Sequence, residues 1–125
     1  MTARIERLVT SGTFSLDGGT WDVDNNVWIV GDDSEVIVID PAHDPAAVQA
    51  AVGDRTTTRI LLTHGHDDHI RAARETASLI GAPICLNPAD RMLWDAVSPD
   101  AEPDQEILNS DTFKVAGVRL HARYT

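Results

Sequence analysis

The stretch Arg59–Gly81, "RILLTHGHDDHIRAARETASLIG", constrains the fold of this chain more than any other. A short aliphatic run ends in a histidine-rich junction and passes directly into a helical pattern. Ile70, Ala73, Ala77 and Ile80 form one apolar stripe, Arg71, Arg74 and Glu75 lie off it, and Gly81 and Pro83 end it. A second apolar run, "PICLN", follows at once. Strand, helix and strand joined this tightly build a crossover, and a crossover makes the two strands parallel. The arrangement recurs on both sides. Upstream, "EVIVID" leads into "DPAAVQAAVG", with Asp44 as N-cap, Pro45 in the first turn and Gly53 as the stop. Downstream, Asn87 and Pro88 open a short helix through "ADRMLWDAV", with Met92, Leu93, Ala96 and Val97 as its apolar face and Trp94 as a packing residue.

The two ends of the chain read differently. "RIERLVTSGTF" and "NNVWIVG" are strand-like, and "SLDGGTWDVDNN" between them fits a hairpin turn or loop. Its acids Asp17, Asp22 and Asp24 lack the spacing of a calcium loop and read as solvated. "SPDAEPDQEI" is a polar loop, and "DTFKVAGVRLHARYT" reads as a hairpin. Its last strand sets Val118, Leu120, Ala122 and Tyr124 against Arg119, His121 and Arg123. The expected order is β-β-β-α-β-α-β-α-β-β, one α/β domain over residues 1–125 with a mixed sheet and helices on one face.

Charge narrows the partners. A net charge of -10 opposes binding to nucleic acid and to anionic membrane surfaces, both of which favour Lys and Arg excess. No apolar run approaches the roughly 20 residues that span a bilayer, and the first residues lack a signal-peptide pattern. Cys85 has no second cysteine to pair with, so a cytoplasmic setting is the simplest expectation. Within "PICLN" it reads as a small buried apolar residue rather than a nucleophile or ligand.

The junction itself carries the chemistry. His64 and His66 are two apart, so on an extended backbone their imidazoles leave on the same side. That suits a borderline cation such as zinc. Asp68 and His69 follow on the turn into the helix and can face a second metal. A metal pair about 3.5–4 Å apart can hold a hydroxide near neutral pH, and Asp68 is placed to orient it. Asp67 reads as the helix cap, and His43 and His121 as non-ligands. The competing reading is a chance surface cluster, but three histidines in six positions between a buried strand and a helix favour metal.

His64-Gly65-His66-Asp67-Asp68-His69 matches His-x-His-x-Asp-His, and the chain resembles the metallo-β-lactamase superfamily in this and in its surroundings. An N-terminal β-meander, "VIVIDPAH" as the family's Asp-containing strand, and "ILLTH" before the motif extend the resemblance over residues 4 to 125. The glyoxalase II-like branch is most similar. The resemblance implies an αββα sandwich, here its N-terminal part only, and a zinc-dependent hydrolase of small thioesters such as hydroxyacyl- or formyl-thiol conjugates, acting through metal-bound hydroxide. It implies His64 and His66 as ligands of one metal, and Asp68 and His69 of the other. Two zinc ions would fill a complete site, with iron or manganese as alternatives.

The chain departs from the pattern in two places. Arg71-Ala72 stands where the family usually has a glycine pair. "LHARYT" resembles the strand before the family's Pro-Gly-His segment, so the third histidine of the first site, the bridging aspartate and the last histidine are expected beyond Thr125. Such a part leaves one sheet face open, which favours self-association. The alternatives to a thioesterase are a lactonase on the same site, an iron-dependent persulfide dioxygenase and an inactive truncated metal-binding fragment. The glutamate of similar diiron flavoproteins is replaced by His66, which disfavours redox diiron chemistry.

Overall fold

The computed structural model describes residues 3–16, 18–63, 72–88, 91–97, 103–108 and 111–122. Two 13-residue strands open the chain, β1 (Arg4–Leu16) and β2 (Gly19–Gly31). They pair antiparallel without a break from Arg4↔Gly31 to Leu16↔Gly19. Of the two readings of residues 15–26, the hairpin turn holds and the loop does not: Thr20 to Asp24 are paired strand, and the reversal is confined to the end of the ribbon. Gly18, at φ 80°, supplies the left-handed backbone that so tight a turn requires.

β3 (Glu35–Ile39) pairs antiparallel with β2, and a side chain at Gly31 would collide with the backbone of Glu35 and Val36 at the start of β3. The chain then becomes a series of crossovers, as the strand-helix-strand pattern requires. α1 (Pro45–Val52) leads to β4 (Thr56–Leu61), α2 (Ala73–Ile80) follows β4, and β5 (Ile84–Leu86) follows α2. α3 (Arg91–Val97) precedes β6 (Gln105–Glu106). β3 to β6 run parallel, and the sheet order is β1-β2-β3-β4-β5-β6.

Local chemistry sets the helix ends. Asp44 accepts a hydrogen bond from the Ala47 amide at 3.1 Å, Pro45 pre-sets the first turn, and Gly53 at φ 65° stops α1. Gly81, left-handed at φ 66°, stops α2. Val48 and Val52 of α1, Ala73 and Thr76 of α2 and Trp94 of α3 pack against Val27, Ile29, Val36, Val38, Ile60, Ile84 and Leu86. Trp94 is fully buried, so it packs as the sequence suggests. Met92 does not: it is 75% exposed, roughly opposite the buried Trp94 on the helix, and the side chains of Leu93, Ala96 and Val97 lie outside the described residues. In α2, Ala73 is buried, Ala77 and Ile80 pack partly, and Ile70 lies outside the described residues.

The opposite sheet face carries a second core of Val30, Ile37, Leu61, Cys85, Ile107, Phe113 and Val115. Its cover is an antiparallel hairpin of β7 (Thr112–Val115) and β8 (Val118–His121). The hairpin turn is pinned by the Ala116 amide, which donates to Glu35 Oε1 at 2.8 Å, and the Arg59 guanidinium stands 5.2 Å from the centre of the Phe113 ring. The layers are thus helices, mixed sheet and hairpin, a helix–sheet–sheet part of an αββα sandwich. The hairpin covers the centre of this face; Ile5, Val9 and Trp28, on the same face of the β1–β2 ribbon by register, remain exposed.

β6 was not anticipated, since residues 98–107 read as a polar loop. Two tertiary interactions turn part of that loop into strand. Asp104 accepts from the Ile84 amide at 2.8 Å, and the Ile107 amide donates to the Leu86 carbonyl oxygen at 3.0 Å with the Ile107 side chain buried.

Candidate metal centre

The parallel strands β3, β4 and β5 end on one edge of the sheet, where ligands gather in open α/β sheets. β4 delivers the chain to Thr63 at that edge, and the histidine motif begins at the next residue. His64, His66, Asp68 and His69, with Asp67, lie outside the described residues. The structure therefore defines where the motif is anchored on both sides, at Thr63 and at Ala72 ahead of α2. Among the described residues no group of three His, Cys, Asp or Glu side chains could hold a metal ion.

The anchor at Thr63 is built by Asp40. Its backbone N–H donates to the Leu61 carbonyl oxygen at 2.9 Å, continuing the β3–β4 pairing by one step. Its carboxylate then turns across to the neighbouring strand. Oδ1 accepts from the Thr63 N–H at 2.7 Å and Oδ2 from the Thr63 hydroxyl at 2.5 Å. Asp40 is only 5% exposed, and its φ of 52° is left-handed. A buried carboxylate is costly unless it is hydrogen-bonded, and bonds to a charged acceptor are the strong kind. The clamp thus holds the backbone that leads into His64.

A second contact ties the same loop to the β1–β2 ribbon. His43, at φ 66°, places Nε2 2.8 Å from Asn25 Oδ1, and the ring nitrogen donates to the amide oxygen. The ring lies against the backbone of Gly12, where a Cβ would stand 2.6 Å from Cγ and 2.9 Å from Cε1. His121 is on the exposed side of β8, with Nδ1 3.3 Å from the Thr112 hydroxyl. Cys85 is buried under the hairpin, its Sγ 3.4 Å from Gln105 Oε1, and burial pushes its thiol from 9.0 up to about 11. Such a thiol is neutral at physiological pH and a poor nucleophile or ligand.

The clamp role of Asp40 and Thr63 was not assigned from sequence. The available signal was an aspartate closing a β-branched strand, where solvent or a specific partner must take its charge; the partner is settled only by β3–β4 pairing.

A mixed sheet flanked by helices, with a donor-rich strand-to-helix junction at the carboxyl end of a parallel strand, defines a class of α/β sandwich whose chemistry sits on that edge. The chain belongs to the metallo-beta-lactamase superfamily, whose family model matches residues 20–121. A hydroxyacylglutathione hydrolase of Acidiphilium cryptum is 38% identical over 86 residues, which cover 67% of this chain and 35% of that protein. An uncharacterised protein of Aquifex aeolicus is 31% identical over 113 residues, covering 80% of this chain and 54% of its own length. The chain thus spans about half or less of the length of these curated relatives. Among solved structures, the BLEG-1 B3 metallo-beta-lactamase superposes with a TM-score of 0.64 at 21% identity, over 91% of this chain and 59% of that one. Membership in this superfamily implies divalent metal binding. No helix among the described residues is long and apolar enough to cross a membrane.

Proposed function

We propose that this chain carries the metal-binding half of a zinc-dependent hydrolase of small thioesters. The observation that supports the reading most directly is the motif His64-Gly65-His66-Asp67-Asp68-His69 following the clamped residue Thr63 at the carboxyl end of β4. Likeness to a hydroxyacylglutathione hydrolase supports a hydroxyacyl thioester as the substrate class.

Three imidazoles and one carboxylate are the donor chemistry that a divalent borderline cation takes, so the residues present fit the metal. His64 and His66 would hold one ion, Asp68 and His69 the other. Bound there, the metal pair supplies Lewis acidity toward the thioester carbonyl and toward water. The chain's own residues do the rest. Asp68 orients the attacking water and accepts its proton, while Asp40 and Thr63 keep the motif's first backbone atoms from shifting. The described helix α2 begins at Ala73 with Ala72 as its N-cap and no side-chain cap hydrogen bond, so the cap expected at Asp67 is not that of α2.

The test is hydrolysis by zinc-reconstituted protein expressed from its complete coding sequence. S-lactoylglutathione and an S-formyl thiol conjugate are compared with an acyl-homoserine lactone, and oxygen uptake is followed on a persulfide. Thioester turnover that exceeds lactone turnover by about two orders of magnitude, about 3 kcal/mol of differential transition-state binding, supports the reading. Preferred lactone cleavage, or iron-dependent oxygen consumption on the persulfide, replaces it.

A further inference from the structure

Among the described residues, three non-glycine residues have positive φ, and two of them, Asp40 at 52° and His43 at 66°, lie in one four-residue loop on the edge that carries the motif. Left-handed backbone is costly for a residue with a side chain, and it persists only where the surroundings over-determine it. Asp40 is held by Thr63. His43 is held elsewhere, on the β1–β2 ribbon, by its bond to Asn25 and by the seat at Gly12.

That seat is a second local concession. Gly12 sits within a 13-residue strand, paired with Val23, where glycine weakens the strand and usually marks close approach of another group. The approaching group is the His43 ring, whose Nδ1, Cγ and Cε1 occupy the space of the missing Cβ. A strained backbone at His43 and a weakened strand at Gly12 thus serve one contact. Between His43 and Asp40 lie only Pro41 and Ala42, both buried, so the loop has little freedom to absorb movement at one end.

We propose that His43 is a positioning residue for the metal motif: its contact with Asn25 and Gly12 holds the Asp40–His43 loop in its left-handed conformation, and through Asp40 it holds Thr63, the residue ahead of His64. The histidine acts as a latch between the ribbon and the site loop. In this role it acts through Asp40 rather than on the metal or the substrate. The inference rests on the motif as a metal site only for its second readout; the first is independent of metal and of the thioester reading.

The first readout is amide hydrogen exchange in the metal-free 125-residue chain, comparing Thr63 with Leu62. The Thr63 amide donates to Asp40 at 2.7 Å, and the Leu62 amide donates to the Cys85 carbonyl oxygen at 3.0 Å, in a bond that the latch does not touch. In His43→Ala, Thr63 exchanges about tenfold faster while Leu62 stays within about twofold, as expected of local opening. Gly12→Ala, which displaces the ring while leaving the histidine in place, reproduces that split. His43→Gln, whose amide can donate to Asn25, returns Thr63 to within about threefold of the parent. The second readout is zinc affinity by chelator competition, which falls about tenfold in His43→Ala and Gly12→Ala, the scale of a lost outer-shell partner. The latch is overturned by an unchanged Thr63, or by Thr63 and Leu62 accelerating together, since the contact would then be ordinary packing. Failure of thioester turnover with the exchange split intact would instead count against the proposed function.

Discussion

The carboxylate of Asp40 grips Thr63 twice, accepting from its backbone N–H at 2.7 Å and from its hydroxyl at 2.5 Å. Both bonds cross from the end of β3 to the end of β4, so they exist only once the two strands have paired in parallel. Asp40→Ala removes both, leaves the Thr63 amide without its acceptor and retains a strained φ. A loss of about 3 kcal/mol follows, measured by urea unfolding. Asp40→Asn keeps one oxygen for the amide, and its NH2 can donate to the Thr63 hydroxyl, so the loss is about 1 kcal/mol. Equal losses in the two variants would show that the carboxylate geometry is unimportant.

Arg55 ties β1 to α1 at the other edge. It donates to Glu6 Oε2 at 2.5 Å and to the carbonyl oxygens of Ala51 at 2.7 Å and Val52 at 2.9 Å. The Arg55 side chain is 9% exposed, so Arg55→Ala leaves the Ala51 and Val52 carbonyl oxygens without this donor, while Glu6 keeps Arg4 and solvent, and the cost is about 1–2 kcal/mol in the same unfolding measurement.

Glu6 makes that edge sensitive to acid. Its hydrogen bond with Arg55 holds its carboxyl below the usual 4.5, opposed by desolvation and aided by the charges of Arg55 and Arg4. A depressed folded pKa means stability that is present above the unfolded value and lost as pH falls through the folded one. Thermal melts of the parent should therefore lose stability below pH 4.5 more steeply than those of Glu6→Gln. Glu6 is 35% exposed, so the difference is modest, and parallel acid limbs for the two proteins would rule out the ion pair as their cause.

Cys85 gives the opposite sign. Its thiol is raised from 9.0 to about 11 by burial, so the neutral form stabilises the fold below pH 9 and the contribution is lost between pH 9 and 11. Stability of the parent should decline across that window, with a shallower decline in Cys85→Ala. Native labelling by a thiol reagent at pH 8 should also be slower than in urea by about two orders of magnitude. Prompt labelling of the native chain would mean that the β7–β8 hairpin does not stay seated on Cys85.

Substitutions in the motif test the metal assignment. His64→Ala and His66→Ala should each remove zinc from the first site, reducing bound metal by about half in the complete protein. Asp68→Asn should reduce turnover by about two orders of magnitude while most of the metal stays, as expected of a group that orients the reacting water. Full turnover in Asp68→Asn would reassign the residue to metal retention or to structure.

The sequence by itself determined the elements whose signals are local. Asp44, Pro45 and Gly53 bound α1, Gly81 bounds α2, and the β-branched and aliphatic runs in Glu35–Ile39 and Thr56–Leu61 form strands joined by α1. It also determined the candidate metal chemistry, because His64, His66, Asp68 and His69 fall within six residues and their donor types do not depend on fold. Tertiary structure decided what depends on partners far along the chain. Gln105–Glu106 became strand because Asp104 and Ile107 meet β5, Met92 faced solvent while Trp94, roughly opposite it on the helix, was buried, and the ribbon ran on through Trp21 and Val23 because β1 lay opposite. The contacts around the motif belong to the same kind: Asp40 reaches Thr63 across 23 residues, and His43 reaches Asn25 across 18. Each bond joins two side chains or backbone groups of unremarkable type, so no local pattern marks it. Only strand pairing brings its ends together.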